Sequence, residues 1–365
     1  MNTDFVDIRK VMDDFYGKEV SSLKDVAKAD APIAYGSDTG MFNALFGRTA
    51  FSQFNNQAVL WSLLPKNGWT KSGWRIRTAR GISLTGFGVA DAGSVPDTVK
   101  STIVEVTASL KQVPTTFEMG NISYNLTGDD VYVFEEELKN HGADHMRLLN
   151  AQLLRDVDTL ASTGFESLDR IASNNSEATD ATISLDTGDA DIYGLDRDGA
   201  TAYDAYVDHN SGTDRDISID TLRTMIETIE ANSGVRPNVI VTGFDQRQNI
   251  LNLMESQVRY MDNITVGVNG INTADGYKMG ARIATFDGIP VIADSQVAKD
   301  TGSRVYAFNT EYVFVGIRRP TSVVLSTSEQ DMLNRGSLTR KGMYLTMGEL
   351  VCTNFAAVGK IRDLL

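Results

Sequence analysis

Two histidines are the first residues whose spacing could support chemistry. His141 and His145 lie four residues apart in the segment HGADH, the spacing of two metal ligands on one helix face. The glutamate that follows the first histidine in zinc proteases is absent, and no third ligand is evident. Hydrogen-bonded or solvated histidines are therefore the preferred interpretation, and we predict no metal site and no cofactor.

Acidic residues form a second group of candidate ligands, in an Asp-, Gly-, Ser- and Thr-rich stretch from 173 to 220. An EF-hand loop beginning at Asp189 would have its required glycine at Gly194, but Tyr193 and Ala200 occupy ligand positions. A solvated, exposed insertion is the preferred interpretation, and loose cation binding is the alternative. The acidic candidates are Asp186, Asp189, Asp191, Asp196 and Asp198.

The remaining sequence offers little for catalysis. Cys352 is the single cysteine, and its apolar context LVCTNF indicates a small buried residue rather than a nucleophile. The sequence contains no GxxxxGK[ST] phosphate loop and no G-x-S-x-G elbow. We therefore predict no catalytic residue and a protein that is not an enzyme.

Composition limits the partners. The net charge of −14 gives the chain no overall attraction to DNA phosphates. No apolar run reaches the roughly 18 residues that a membrane-spanning helix needs. The sequence thus predicts neither tight nucleic-acid binding nor a membrane.

The segment from 66 to 98 has an unusual pattern. Alternation through Trp74 and Ile76 predicts a strand, Gly81 marks a tip, and residues 82–87 predict a return strand. Such a hairpin cannot build a core of its own, and its tryptophans lie outside any obvious core, so we expect another subunit to hold it. The predicted contacts with that subunit are Trp69, Trp74, Arg75, Arg77 and Arg80.

Longer elements surround this hairpin. Helical periodicity from 129 to 162 predicts a rod of about 50 Å. An α/β pattern begins near residue 216, with a helix that ends near Gly234, a buried strand through Val239–Val241 and a hairpin turn at Asp287–Gly288. The final residues predict a pair of closing strands.

The order of these pieces resembles the major capsid proteins of tailed double-stranded DNA viruses, the HK97-like fold family. The resemblance lies in GVADAGSVPDTVKSTIVEVTASLKQVPTTFEMG, GVRPNVIVTGFDQRQNILNLM, DGIPVIADSQV and GMYLTMGELVCTNFAAVGKIRDL. It implies an α+β fold with six parts: an N-terminal arm and lead-in (1–65), an extended E-loop hairpin (66–98), a peripheral domain with a long spine helix (99–172), the acidic insertion (173–215), an axial α/β domain (216–330) and strands returning to the peripheral domain (331–365).

The resemblance implies a structural subunit that self-assembles, as hexamers and pentamers, into an icosahedral capsid around double-stranded DNA. It further implies a separate scaffolding protein, a portal, decoration proteins, a place in the virion and assembly in the host cytoplasm. Some relatives cross-link subunits, for which Lys66 or Lys71 could be the donor and Asn334 the acceptor. The alternatives are an encapsulin-like nanocompartment shell and, ranked lower, a metal-dependent hydrolase using His141 and His145.

Overall fold

The structure is a computed structural model. It describes residues 57–81, 99–121, 133–157, 164–180, 191–197, 201–255, 284–326 and 328–365, with two short N-terminal strands and a few isolated positions. The strands are β1 (Val26–Ala27), β2 (Ala34–Tyr35), β3 (Lys66–Gly68), β4 (Gly73–Arg77), β5 (Ile103–Thr107), β6 (Lys111–Gly120), β7 (Tyr206–Asp208), β8 (Val239–Thr242), β9 (Ala284–Phe286), β10 (Ile289–Ala293), β11 (Val305–Phe308), β12 (Val313–Ser326), β13 (Thr339–Cys352) and β14 (Val358–Ile361). The helices are α1 (Val59–Leu63), α2 (Val133–Leu153), α3 (Leu168–Ile171), α4 (Asn175–Thr179), α5 (Ile219–Ser233), α6 (Phe244–Glu255) and α7 (Glu329–Arg335). The predicted return strand at 82–87 and the candidates Asp186, Asp189 and Asp198 lie outside the described residues.

The chain divides into two compact units, and the first includes Gln112–Leu149 and Arg318–Met347. In its sheet, β13 lies between β12 and β6. Helix α2 packs on this sheet: the Tyr344 hydroxyl donates to the Leu138 carbonyl at 2.7 Å. A Cβ atom at Gly342 would lie 2.2 Å from the Phe117 ring, so only glycine allows this approach.

Among the described strands, β6 ends the sheet and β12 has β13 as its one neighbour beyond Ile317, and each of these two strands contains a proline. Pro114 lies in β6, and Pro320 lies in β12 beyond Ile317, the last residue paired with β3. A proline has no N–H for a strand ladder, and an outer strand tolerates it because one row of its backbone groups is not needed for pairing.

Helix α2 is shorter than the sequence predicts. It runs from Val133 to Leu153, and residues 154–157 are not helical. Its 21 residues span about 32 Å rather than about 50 Å. The predicted end at 162 is wrong because the Val157 N–H donates to the carboxylate of buried Asp169 at 2.7 Å, which takes the place of a helical hydrogen bond.

The second unit contains Val59–Lys111, Asn150–Ile317 and Gly348–Leu365. Its six-stranded sheet has the order β7-β14-β11-β8-β10-β9, with β8 parallel to β10 and antiparallel to β11. Strand β8 is buried along its whole length, which confirms the predicted buried strand. The β9–β10 turn places Asp287 and Gly288 at φ values of 48° and 77°, which confirms the predicted hairpin.

Helix α5 covers this sheet with an apolar face. Leu222, Met225 and Ile229 are fully buried in the core of the unit. The helix begins with a capping box between Ser218 and Thr221, and it ends at Gly234 in the left-handed conformation. The C-terminal end near Gly234 confirms the predicted end of this helix.

The two predicted closing strands are present, but they do not pair with each other. Strand β13 joins the sheet with β12 and β6, whereas β14 lies between β7 and β11 in the six-stranded sheet. A short 3-10 turn, Phe355–Ala357, separates them, and the Thr353 N–H donates to the Tyr312 carbonyl before it. The apolar pattern continues through both strands, so it does not reveal the change of sheet.

The described residues of the predicted acidic insertion are of two kinds: Asp196 and residues 210–214 are exposed, whereas other positions are buried. Ser173, Glu177 and Arg197 are fully buried. Strand β7 pairs in parallel with β14, within the six-stranded sheet. Composition cannot distinguish the two cases, because an acidic residue in a buried ion pair is the same residue type as an acidic residue exposed to water.

Candidate assembly interface

Strands β4 and β5 form a separate two-stranded antiparallel ribbon. The partner of β4 is Ile103–Thr107, a segment that lies beyond the predicted E-loop boundary at 98, and that boundary stays a prediction. The inner face of the ribbon pairs Trp74 with Val106, and the outer face pairs Arg75 with Glu105. Val106 is buried and Glu105 is exposed, so the two faces differ in environment.

The three arginines of the predicted interface are exposed. Arg75 lies 2.7 Å from Glu105, with 72% and 71% of the two side chains accessible. A pair this exposed contributes about 0–1 kcal/mol, so a stronger carboxylate partner could replace it. Arg77 donates to the Ala79 carbonyl at 3.3 Å, and Arg80 is exposed beyond the end of β4.

The prediction that Trp69 and Trp74 lie outside any core is wrong. The two indoles meet edge to face at 5.8 Å between centroids. The Trp74 ring also packs on the Tyr193 ring, with 5.0 Å between the ring centroids. The Trp69 ring packs on the Phe314 ring, with 6.1 Å between centroids. These tryptophans therefore pack the base of the ribbon within one chain, and a contact with a neighbouring subunit stays a prediction.

Tyr193 fixes the base of the ribbon. Its carbonyl accepts the Thr107 N–H at 3.0 Å and the Thr107 hydroxyl at 3.1 Å. Its own hydroxyl donates to the Leu350 carbonyl of β13. We call Trp74, Thr107, Ala108 and Tyr193 the ribbon root. The sequence pattern does not indicate this role, because Tyr193 is recognisable there only as a residue that does not fit a calcium-binding loop.

The two histidines do not converge on a metal site. His145 is fully buried, with Nδ1 2.7 Å from the Thr115 hydroxyl and Nε2 2.8 Å from the Thr346 hydroxyl. Burial lowers the pKa of His145 to about 4, so the ring is neutral at physiological pH. The His141 ring stacks on Phe117 instead. Both ring nitrogens of His145 thus form hydrogen bonds with threonine hydroxyls.

The other chemical candidates have structural contacts. In the part of the chain that the structure describes, no three His, Cys, Asp or Glu side chains are grouped to hold a metal ion. The Asp191 carboxylate accepts the Arg197 N–H at 3.0 Å. Cys352 is fully buried, as predicted, and burial raises its pKa to about 12. Lys66 donates to the Trp61 carbonyl at 2.6 Å, so its amine serves the end of α1.

A buried ion network, which no local sequence pattern indicates, lies in the second unit. Lys360 contacts Asp169 at 3.1 Å and Glu177 at 2.6 Å, and all three side chains are fully buried. Burial alone would raise the pKa of Asp169, but Arg304 and Lys360 hold it well below its ordinary value. The cations of the network are Arg304, Lys360 and Arg362, and its anions are Asp156, Asp169, Glu177, Asp300 and Asp363.

Among the described helices, none is long and apolar enough to span a bilayer.

Solved structures match this chain over most of its length, whereas no protein-family model and no curated protein matches its sequence. The cyanophage A-1(L) capsid asymmetric unit matches with a TM-score of 0.63 and 14% identity, covering 87% of this chain and 95% of that chain. The capsid of a native GTA particle matches at 0.54 and 10%, covering 91% and 100%. The SrpI encapsulin of Synechococcus elongatus PCC 7942 matches at 0.52 and 11%, covering 86% and 92%. The chain therefore has the HK97-like α+β fold, which confirms the fold that its sequence resembles.

Proposed function

We propose that this chain is a shell-forming subunit, the major capsid protein of a tailed double-stranded DNA virus, and that it is not an enzyme. The observation that carries the proposal is the fold shared with the cyanophage capsid chain over 95% of that chain's length. The β4–β5 ribbon supports it, because an isolated ribbon gains stability when a partner covers its free face. A closed shell of hexamers and pentamers supplies that partner for every copy.

Each part of the chain then has a proposed role. The ribbon belongs to the E-loop, the unit with α2 to the peripheral domain, and the six-stranded sheet to the axial domain. Helix α2 is the spine helix. Among the described residues from 173 to 215, Tyr193 holds the ribbon root and Glu177 belongs to the ion network.

The ribbon arginines are the proposed contacts with the neighbouring subunit. Arg75, Arg77 and Arg80 present donors that match carboxylates. The chain carries 48 acidic against 34 basic residues, so carboxylate partners are abundant on every copy. Trp69 and Trp74 support these contacts from below by holding the base of the ribbon.

The remaining partners follow from the shell. The net charge of −14 favours a genome that is enclosed without tight binding to the subunit. We further propose a separate scaffolding protein, a portal and decoration proteins as partners. The protein would reside in the virion after assembly in the host cytoplasm.

Electron microscopy of the expressed chain, with its scaffold, tests the shell directly. Closed icosahedral particles are expected, whereas small species under all assembly conditions would contradict the proposal. The triple variant R75A/R77A/R80A should keep native circular dichroism and lose most of its shell yield. The charge-matched variant R75K/R77K/R80K is its control and should retain more shells. Normal yield from the alanine variant would remove the arginines from the proposed interface.

An encapsulin-like nanocompartment is the second candidate, favoured by the match to the SrpI encapsulin. The contents of particles purified from the native cell decide between the two. Double-stranded DNA of uniform length supports the virus, and a single enriched cargo protein supports the compartment.

A further inference from the structure

A buried carboxylic acid lies directly beneath the ribbon root. Glu349 of β13 has 1% of its surface accessible. One oxygen of its carboxyl, Oε1, accepts the Glu166 N–H at 2.7 Å and the Leu350 N–H at 3.0 Å. Burial raises the pKa of Glu349 to about 8, and the nearby Glu166 carboxylate acts in the same direction. The group is therefore mostly protonated at neutral pH.

The two backbone N–H donors and Lys111 favour the ionised form of Glu349, but their combined effect does not offset the effect of burial on its pKa. Arg155 interacts with both Glu349 and Glu166. The charged or titratable groups that face Glu349 are Lys111 on β6, Arg155 after α2, Glu166 before α3 and Tyr193 in the 191–197 turn, with Arg170, Arg197 and Cys352 in the next layer.

A short chain of contacts connects this acid to the ribbon. The residue after Glu349 is Leu350, whose carbonyl accepts the Tyr193 hydroxyl. Tyr193 then holds Thr107 through its carbonyl and Trp74 through its ring. Tyr193 has a φ of 54°, a left-handed conformation that a non-glycine residue keeps only while its contacts impose it. Loss of the Leu350 contact would thus free the turn and the ribbon together.

We propose that Glu349 is a proton-controlled lock for the ribbon: the protonated acid keeps β13 seated so that Tyr193 pins the ribbon root, and loss of the proton to water unseats both. The lock concerns the single chain and holds whether or not a shell forms. Its consequence for assembly, control of when the ribbon engages a neighbour, rests on the proposed function.

The direction of the pH dependence follows from proton linkage. The closed root keeps Glu349 protonated up to pH about 8, while an opened root exposes a carboxyl that ionises near its ordinary value of 4.5. The equilibrium constant for opening should therefore rise about tenfold per pH unit between these values and level off above the higher one. High pH favours release, and mildly acidic pH favours the pinned ribbon.

Hydrogen exchange on the full-length subunit tests the lock. The amides of Thr107 and Ala108 bond to the carbonyls of Tyr193 and Ser72, so they report the root. After correction for intrinsic exchange, their protection should fall about tenfold per unit from pH 5 to 8 and then stay constant. The amide of Val241, in buried β8, should exchange far more slowly and report global unfolding.

Three variants separate the lock from simple stability. E349Q should keep the fold and abolish the pH dependence of exchange protection at the Thr107 and Ala108 amides. E166Q should shift the start of the plateau to lower pH, because it removes the neighbouring anion. Y193F should expose the root at every pH and lose the slope, since opening no longer exposes Glu349.

A flat pH profile for the wild-type root, or an unchanged slope in E349Q, would overturn the proposal. So would a slope confined to β13 amides that leaves Thr107 and Ala108 protected. If E349Q does not fold, wild type and E166Q still decide the matter. Failure of shells to form would count against the proposed function alone.

Discussion

Replacing Lys360 by methionine is the sharpest test of the buried ion network. The Lys360 ammonium contacts Asp169 at 3.1 Å and Glu177 at 2.6 Å, and none of these side chains is accessible to water. Methionine has nearly the same length, so packing changes little while one positive charge disappears. Removing one partner of a buried ion pair costs about 3–5 kcal/mol, because the remaining charge is left uncompensated. Since Lys360 serves two carboxylates, we expect a loss of about 4–5 kcal/mol in the free energy of unfolding.

Urea denaturation followed by circular dichroism measures this loss, and K341M is the matched control. Lys341 pairs with Glu118 at 2.9 Å, but 47% and 27% of their side chains are accessible. An exposed pair contributes about 0–1 kcal/mol, so K341M should be nearly neutral. The double variant K360M/E177Q should be more stable than the sum of its single changes by about 1–3 kcal/mol. Equal stability of K360M and K341M would refute the view that this network is electrostatically coupled.

Three further predictions follow from the described contacts. The pKa of Asp169 is lower in the folded chain than its ordinary value of 3.8. The carboxylate therefore contributes its full stabilisation above pH 3.8 and loses it as the pH falls below that value. The D169N variant should make the free energy of unfolding depend less on pH in this acidic range. G342A should lower the free energy of unfolding by about 1–3 kcal/mol, because the added methyl would meet the Phe117 ring. G68A is the control, because its Cβ would lie in open space, and it should leave the melting temperature nearly unchanged. The soluble subunit should not shift double-stranded DNA in a gel at physiological salt, and salt-sensitive submicromolar binding would contradict the charge argument.

The sequence predicted those elements whose signals are local. Helix α5 has its apolar period, its capping box and its terminal glycine within one short segment. The turn at Asp287–Gly288 likewise carries its conformational requirement in two residues. In both cases the signal lies in neighbouring residues, so it can be recognised without knowledge of tertiary contacts.

Features that depend on distant partners could not be predicted in this way. Asp169 and Lys360 are 191 positions apart, and no periodicity connects them. The end of α2 depends on the same aspartate, so the helical pattern overestimated its length. Trp74 has the same sequence context whether it packs in a ribbon base or contacts another subunit, and only the position of Tyr193 distinguishes the two.

The prolines in β6 and β12 have a consequence for the behaviour of concentrated subunits. Pro114 and Pro320 each interrupt a row of backbone donors that another chain could otherwise extend. In the shell proposed above, open-ended polymerisation through strand edges would compete with the closed particle. These two rings make such fibrils less favourable along β6 and along the part of β12 beyond Ile317. Replacing them with valine or threonine would be expected to lower the concentration at which the subunit precipitates, well before it changed the folded structure.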